Sequence, residues 1–295
     1  TLTATNNGNT VNYSGAAQTG KVSSYYNLTL SGTGIKTFAT NPTVNAILSM
    51  EGTATVVVTV GVVTYGANAT LRYNTATART TSSVEWIVPF AASGGVIIAN
   101  TGTITMNVGK VFNASVPLTI NSGATLATNN LQLTFGGNFV NGGSLSAGSS
   151  PIVITNTMAA QNIDGFTTTG LVLLSKTAGT ATFTGNVSGN GLTINGNGGT
   201  LNLGTGLTHT FTGTWTNTIG TLNGGSSTLI LGNNGTFTAG TFTCGTGTVN
   251  YNAAGVQTVA GVTYNNLIIS GSGTKTLGGA AIVGGTLTLT SGSFA

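Results

Sequence analysis

Along most of the chain apolar and polar residues alternate one for one, in runs of only three to six residues. Leu28-Thr29-Leu30, Leu118-Thr119-Ile120, Leu201-Asn202-Leu203 and Leu287-Thr288-Leu289 are examples. A period of two puts every second side chain on one face, so each run predicts a short strand with one buried face. Asn-Gly, Gly-Gly and Ser-Gly pairs separate the runs and permit the positive φ of tight corners. No apolar pattern with a period of 3.6 occurs, so helices are not expected.

The runs recur. Residues 25–38 (YYNLTLSGTGIKTF) match 264–277 (YNNLIISGSGTKTL) at 8 of 14 positions, and Thr10-Val11-Asn12-Tyr13 returns as Thr248-Val249-Asn250-Tyr251. A second pairing sets 118–154 against 192–231. Short strands, glycine corners and repeats of unequal spacing predict an all-β parallel β-solenoid (β-helix), right-handed, over residues 1–295 as a single domain. Coils of about 20 residues would give about 15 rungs. Residues 71–93 break the pattern with Arg72, Tyr73, Arg79, Glu85, Trp86 and Pro89. They read as a loop leaving the coil. It serves as a lateral cap over strand edges or, alternatively, as a lateral contact patch formed by Arg72, Tyr73, Arg79, Glu85 and Trp86.

Composition sharpens this picture. Of 295 residues, 59 are Thr, 47 Gly and 32 Asn, while Asp, Glu, Lys and Arg reach 3 % against about 25 % in an ordinary soluble domain. Stacked Thr and Asn on successive rungs would form side-chain ladders that replace surface charge. The formal charge of +4 comes from seven scattered cations, without the clustering that nucleic acid requires. No run of 18 apolar residues suggests a membrane-spanning helix. Cys244 is alone and forms no intrachain disulfide.

Candidate chemistry is sparse. Glu51, Glu85 and Asp164 are the only acids, and glycoside hydrolysis would need two of them about 5–10 Å apart. His209 shares a strand face with Leu207 and Phe211, so a buried, hydrogen-bonded role is expected for it. A calcium-binding solenoid needs a recurring Asp, and the chain has one. Thr-x-Thr pairs such as Thr103-Ile104-Thr105 and Thr241-Phe242-Thr243 are too irregularly spaced for an ice-binding face. No catalytic residue, metal or cofactor is assigned, and the protein is not read as an enzyme.

Both ends look strand-like. The opening TLTATNNGNT lacks the basic start and apolar core of a signal peptide. The closing TLTLTSGSFA lacks the polar character of a solenoid cap. Aligned by the repeat, Phe294 takes the place of Phe237 and Gly292 that of Gly235. This predicts head-to-tail self-association through Thr1, Leu2, Thr3, Leu287, Leu289 and Phe294, or membership of a longer repetitive chain. Either arrangement forms a fibre.

The phrases YNNLIISGSGTKTL, GGTLTLTSG, YNTATART…EW and GGVIIANTGTITMN resemble the repeats of large secreted bacterial Gly/Thr/Asn-rich surface proteins of parallel β-helix type. The resemblance implies an extracellular, cell-surface location and a structural, adhesive or matrix role, and it supplies no site residues. The reading is therefore a fibre subunit whose partner is itself, without membrane insertion or nucleic acid. A cell-surface adhesin or carbohydrate-binding module that takes surface glycans is the alternative.

Overall fold

Leu28, Leu48 and Leu71 lie side by side in register, each from a different strand of one parallel wall. A computed structural model describes residues 4–295. Among them there are strands, corners and loops but no helix, so none is long and apolar enough to cross a membrane. The chain divides into two compact units, 1–147 and 148–295. Each is a stack of β-solenoid coils, with about 14 turns in all.

In the first unit one wall runs through Thr10–Tyr13, Ser24–Leu30, Thr43–Glu51, Thr70–Asn74, Val96–Ile98, Leu118–Ile120 and Phe139–Asn141, every pair parallel. Parallel pairing follows from coiling, because each turn returns the chain to the same wall in the same direction. The step between facing residues is 17 residues from Thr10 to Asn27 and longer at most later coils, which accommodates slightly fewer turns than a uniform 20-residue coil would give. The strand that follows each of these in its coil belongs to one of two shorter parallel sheets: Gln18–Thr19, Ile35–Thr40 and Thr55–Val60 in the first three coils, and Arg79–Thr80, Thr103–Thr105, Thr125–Ala127 and Ser144–Ser146 in the next four.

Alternation decides what is buried. Leu28, Leu48, Leu71, Val96 and Leu118 form one inward row and Leu30, Met50, Tyr73, Ile98 and Ile120 the next, all essentially inaccessible. Each such side chain contributes about 1.5–3 kcal/mol by leaving water. The second unit repeats the scheme. His209, Leu229, Val249 and Leu267 form one inward row, and Phe211, Leu231, Tyr251 and Ile269 another. Rows of stacked threonine, predicted from composition, occur in two sheets of this unit: Thr208, Thr228 and Thr248 stack in register beside the His209 row, and Thr180, Thr200, Thr221 and Thr241 do so in another sheet.

Residues 71–93 do not leave the coil, which corrects the expected loop. Residues 71–74 belong to the strand Thr70–Asn74, and Trp86 and Phe90 are fully buried. Tyr73 and Trp86 lie 5.8 Å apart, Trp86 and Phe112 6.0 Å, and Tyr65 and Phe90 5.0 Å. The extra length of this coil is folded inward as an aromatic filling. Its large rings bury more apolar area there than an exposed flap would.

Candidate functional site

Within the second unit, the final coil is paired on one edge only among the described residues. Ile282–Val283, Leu287–Leu289 and Ser293–Phe294 bond to Thr263–Tyr264, Asn266–Ile269 and Thr274–Leu277. Their outer edges present unpaired N–H and C=O groups, which template further strand pairing. Leu287 and Leu289 continue the two inward rows that begin at His209 and Phe211, yet they are 45 % and 59 % exposed, with no coil over them among the described residues. Phe294 is exposed as well.

In the first unit, Thr10–Tyr13 pairs with Ser24–Leu30. Its inward positions, Val11 and Tyr13, are only half-buried, whereas their partners Leu28 and Leu30 are fully buried. Thr1, Leu2 and Thr3, expected at such a junction, lie outside the described residues.

The coils that carry the sequence repeat share one hydrogen-bond network. In the first unit the Lys21 N–H donates to the Tyr13 hydroxyl at 2.9 Å, the Tyr13 and Tyr25 hydroxyls meet at 3.0 Å, and Tyr25 donates to the Lys21 carbonyl. In the second unit the Ala260 N–H donates to Tyr251 at 3.1 Å, Tyr251 and Tyr264 meet at 3.0 Å, and Tyr264 donates to the Ala260 carbonyl at 2.7 Å. Ser31 donates to Asn12 at 2.8 Å, as Ser270 does to Asn250 at 2.6 Å. Lys36 Nζ donates to the carbonyls of Gly15, Ala16 and Thr33, and Lys275 Nζ to those of Ala253, Gly255 and Ser272. Both lysines are buried without a carboxylate partner, and burial lowers their pKa.

The two networks differ at one glutamine. Gln257 Oε1 accepts from the Ala253 N–H at 3.0 Å, as Gln18 Oε1 does from Gly15 at 2.8 Å. Gln257 Nε2 also donates to the carbonyls of Leu231 and Asn233, at 2.8 and 2.6 Å, in the coil beneath it. Gln18 has no such coil beneath it among the described residues. The identities within the repeat marked these Tyr and Lys positions in the sequence. The glutamine fell outside the matched segments and carried no signal.

No family model, curated protein or solved structure matches this chain.

The proposed lateral patch is not an exposed aromatic surface. Tyr73, Glu85 and Trp86 are buried. The Glu85 carboxylate accepts from the Ser82 N–H at 2.7 Å, the Tyr73 hydroxyl at 3.1 Å and the Ser82 hydroxyl. Arg79 stacks over Tyr73 at 5.6 Å, and Arg72 reaches Ser49 Oγ at 3.2 Å and Glu51 at 3.9 Å. Lys110, also buried, donates to the Trp86 carbonyl at 3.1 Å and to Asn107 Oδ1 at 3.0 Å. Burial pulls its pKa down to about 8, against the opposing pull of Glu85.

Glu51 and Glu85 serve opposite faces of one wall. Glu51 accepts from the outward Ser49 and Asn74, and Glu85 from the inward Tyr73. Asp164 accepts from Thr184 in the other unit. No group of three metal-binding side chains occurs among the described residues. His209 is buried, as expected. Its Nδ1 accepts from the Val187 N–H at 3.1 Å, so Nε2 carries the proton and donates to the Leu203 carbonyl at 2.8 Å.

Proposed function

We propose that the protein is a structural β-solenoid module of an extracellular fibre, extended by strand pairing between terminal coils. The observation that carries this reading is the final coil, where Leu287 and Leu289 stand exposed in core rows beside unpaired strand edges. A surface that combines apolar core positions with a strand edge is complementary to another coil of the same kind. The scarcity of charge supports the same reading, since 3 % charged residues leave little repulsion between solenoid ends. The extracellular, bacterial part of the proposal draws on the resemblance of the repeat phrases. The adhesin alternative is not favoured, because Tyr73 and Trp86, the aromatics it would offer to a glycan, are in the core.

Light scattering and electron microscopy of the purified protein over a range of concentrations test the reading. Mass that grows with concentration and thin fibres of solenoid width are expected. Monomers at every concentration would reject it.

A further inference from the structure

We infer that the last coil takes as its partner the Thr10–Tyr13 coil of a second copy, with Leu287 facing Val11, Leu289 facing Tyr13, and Gln18 reaching across the junction. This inference rests on the fibre reading and adds the partner, the register and the contacts.

The second unit already contains the interface. Thr228–Leu231 carries Thr248–Tyr251 in the register Thr228 to Thr248, Leu229 to Val249, Ile230 to Asn250 and Leu231 to Tyr251. Each side of that pair has a counterpart in an outer coil. Thr10–Tyr13 has the sequence TVNY of Thr248–Tyr251, together with its tyrosine ring, its Ser–Asn bond and its lysine-capped corner. Residues 286–289 (TLTL) match 228–231 (TLIL) at three positions. Both segments belong to the same seven-stranded sheet, and each leads into a strand that ends in Phe, Gly235–Phe237 or Ser293–Phe294. Transferring the internal register to these counterparts places Thr286, Leu287, Thr288 and Leu289 opposite Thr10, Val11, Asn12 and Tyr13.

Gln18 supplies an independent check. Gln257 donates to the carbonyls of Leu231 and Asn233, and their counterparts on the last coil are those of Leu289 and Ser291. Gln18 already has its Oε1 fixed in the same way as Gln257, so its Nε2 is aimed at the coil that would lie beneath. Neither residues 4–20 nor residues 276–295 include a charged side chain, so no like charges oppose the approach. Covering Leu287, Leu289, Val11 and Tyr13 removes from water the apolar surface that the outer coils expose.

Disulfide trapping tests the register in the full chain, with Cys244→Ala to remove the native thiol. Facing residues on paired strands are about 4.8 Å apart, within reach of a disulfide. Val11→Cys with Leu287→Cys is expected to give a reducible ladder of linked oligomers on mild oxidation. Val11→Cys with Thr288→Cys, slipped by one residue, is expected to give none. Gln18→Leu should weaken association about tenfold, as expected for the loss of two hydrogen bonds, while leaving the monomer folded. Leu289→Lys, at a position exposed in the monomer, should abolish association. Association that persists without the 11–287 link, or with the 11–288 link instead, would overturn the register and leave the fibre reading standing. Unchanged association in Gln18→Leu would overturn the role of Gln18. Monomers without any linked species would overturn the register and the fibre reading together.

Discussion

The hydroxyls of Tyr251 and Tyr264 lie 3.0 Å apart and close a ring through Ala260, whose N–H donates to Tyr251 and whose carbonyl accepts from Tyr264. Since Tyr264 gives its proton to Ala260, Tyr251 is the donor to Tyr264. Every polar atom of the ring is satisfied within the core, which is what burying two phenols requires.

Tyr264→Phe opens this ring: the buried Tyr251 hydroxyl loses the acceptor for its proton, and the Ala260 carbonyl keeps only the Val262 N–H. A loss of about 1–3 kcal/mol is expected, read as a lower urea midpoint, with the half-buried Tyr26→Phe as a near-neutral control. Burial also raises the Tyr264 hydroxyl well above its ordinary pKa and Tyr251 to about 12. The unfolded phenols ionise first, so stability should fall as pH climbs above about 10. The double variant Tyr251→Phe/Tyr264→Phe should lessen that fall.

Gly225 sits at a corner with φ +58°, and a Cβ there would meet the Gly204 carbonyl oxygen of the coil beneath at 2.1 Å. Backbone on a neighbouring rung cannot step aside as a side chain can. Gly225→Ala therefore combines left-handed strain with a clash and should destabilise by about 2 kcal/mol or more. Gly8 has φ +83° but nothing within 4 Å of its Cβ position, so Gly8→Ala should show the strain alone and a smaller effect. Thermal melts of the two variants provide the comparison.

Lys110 is held in the first unit with its pKa lowered to about 8, against about 10.4 in an unfolded chain. The unfolded state therefore binds more protons between those values, and stability from this group rises as pH increases from about 8 towards 10. Lys36, Lys176 and Lys275 are shifted in the same direction. Urea midpoints measured across this range should rise, and Lys110→Met should reduce the slope. An unchanged slope would show that the ammonium is not desolvated there.

His209 gives the opposite limb. Burial lowers its pKa, opposed by the bond to Leu203. Its contribution is complete above about 6.5 and is lost as pH falls, because the unfolded imidazole takes up a proton first. His209→Leu matches its row neighbour Leu229. It should flatten the acid limb, at the expense of leaving the Val187 N–H unbonded, while the Leu203 carbonyl keeps its bond from Ser227. Denaturation followed from pH 7 to pH 4 reads both effects.

The strands and their faces were legible because alternation is a local property. Leu28-Thr29-Leu30 and Leu118-Thr119-Ile120 have their leucines and isoleucine inside as read. Leu287 and Leu289 were legible for the same reason as one face of the final strand-like run. Tyr73 and Trp86 were misread because they stand among Arg72, Arg79, Glu85 and Pro89, and charge and proline usually mark surface loops. Here the ring of Trp86 packs on Tyr73 and on Phe112, a residue from the following coil. Gln18 was not read at all, since one polar residue in a Thr- and Asn-rich chain carries no signal until Gln257 shows what its counterpart bonds.

The sequence by itself determined the all-β class, the strand faces, the glycine corners and the equivalence of 25–38 with 264–277. Period-two patterning and corner chemistry act within a few residues, and repetition shows directly in the letters. Only the tertiary structure decided that Tyr73, Glu85 and Trp86 are interior, that Lys36 and Lys275 cap carbonyls with no acid beside them, and that Leu287 and Leu289 lack cover. Each of those facts depends in part on what a neighbouring coil places, or fails to place, beside the residue, as Phe112 does for Trp86 and Gly15 for Lys36. In a solenoid, burial is set by the stack and not by the strand.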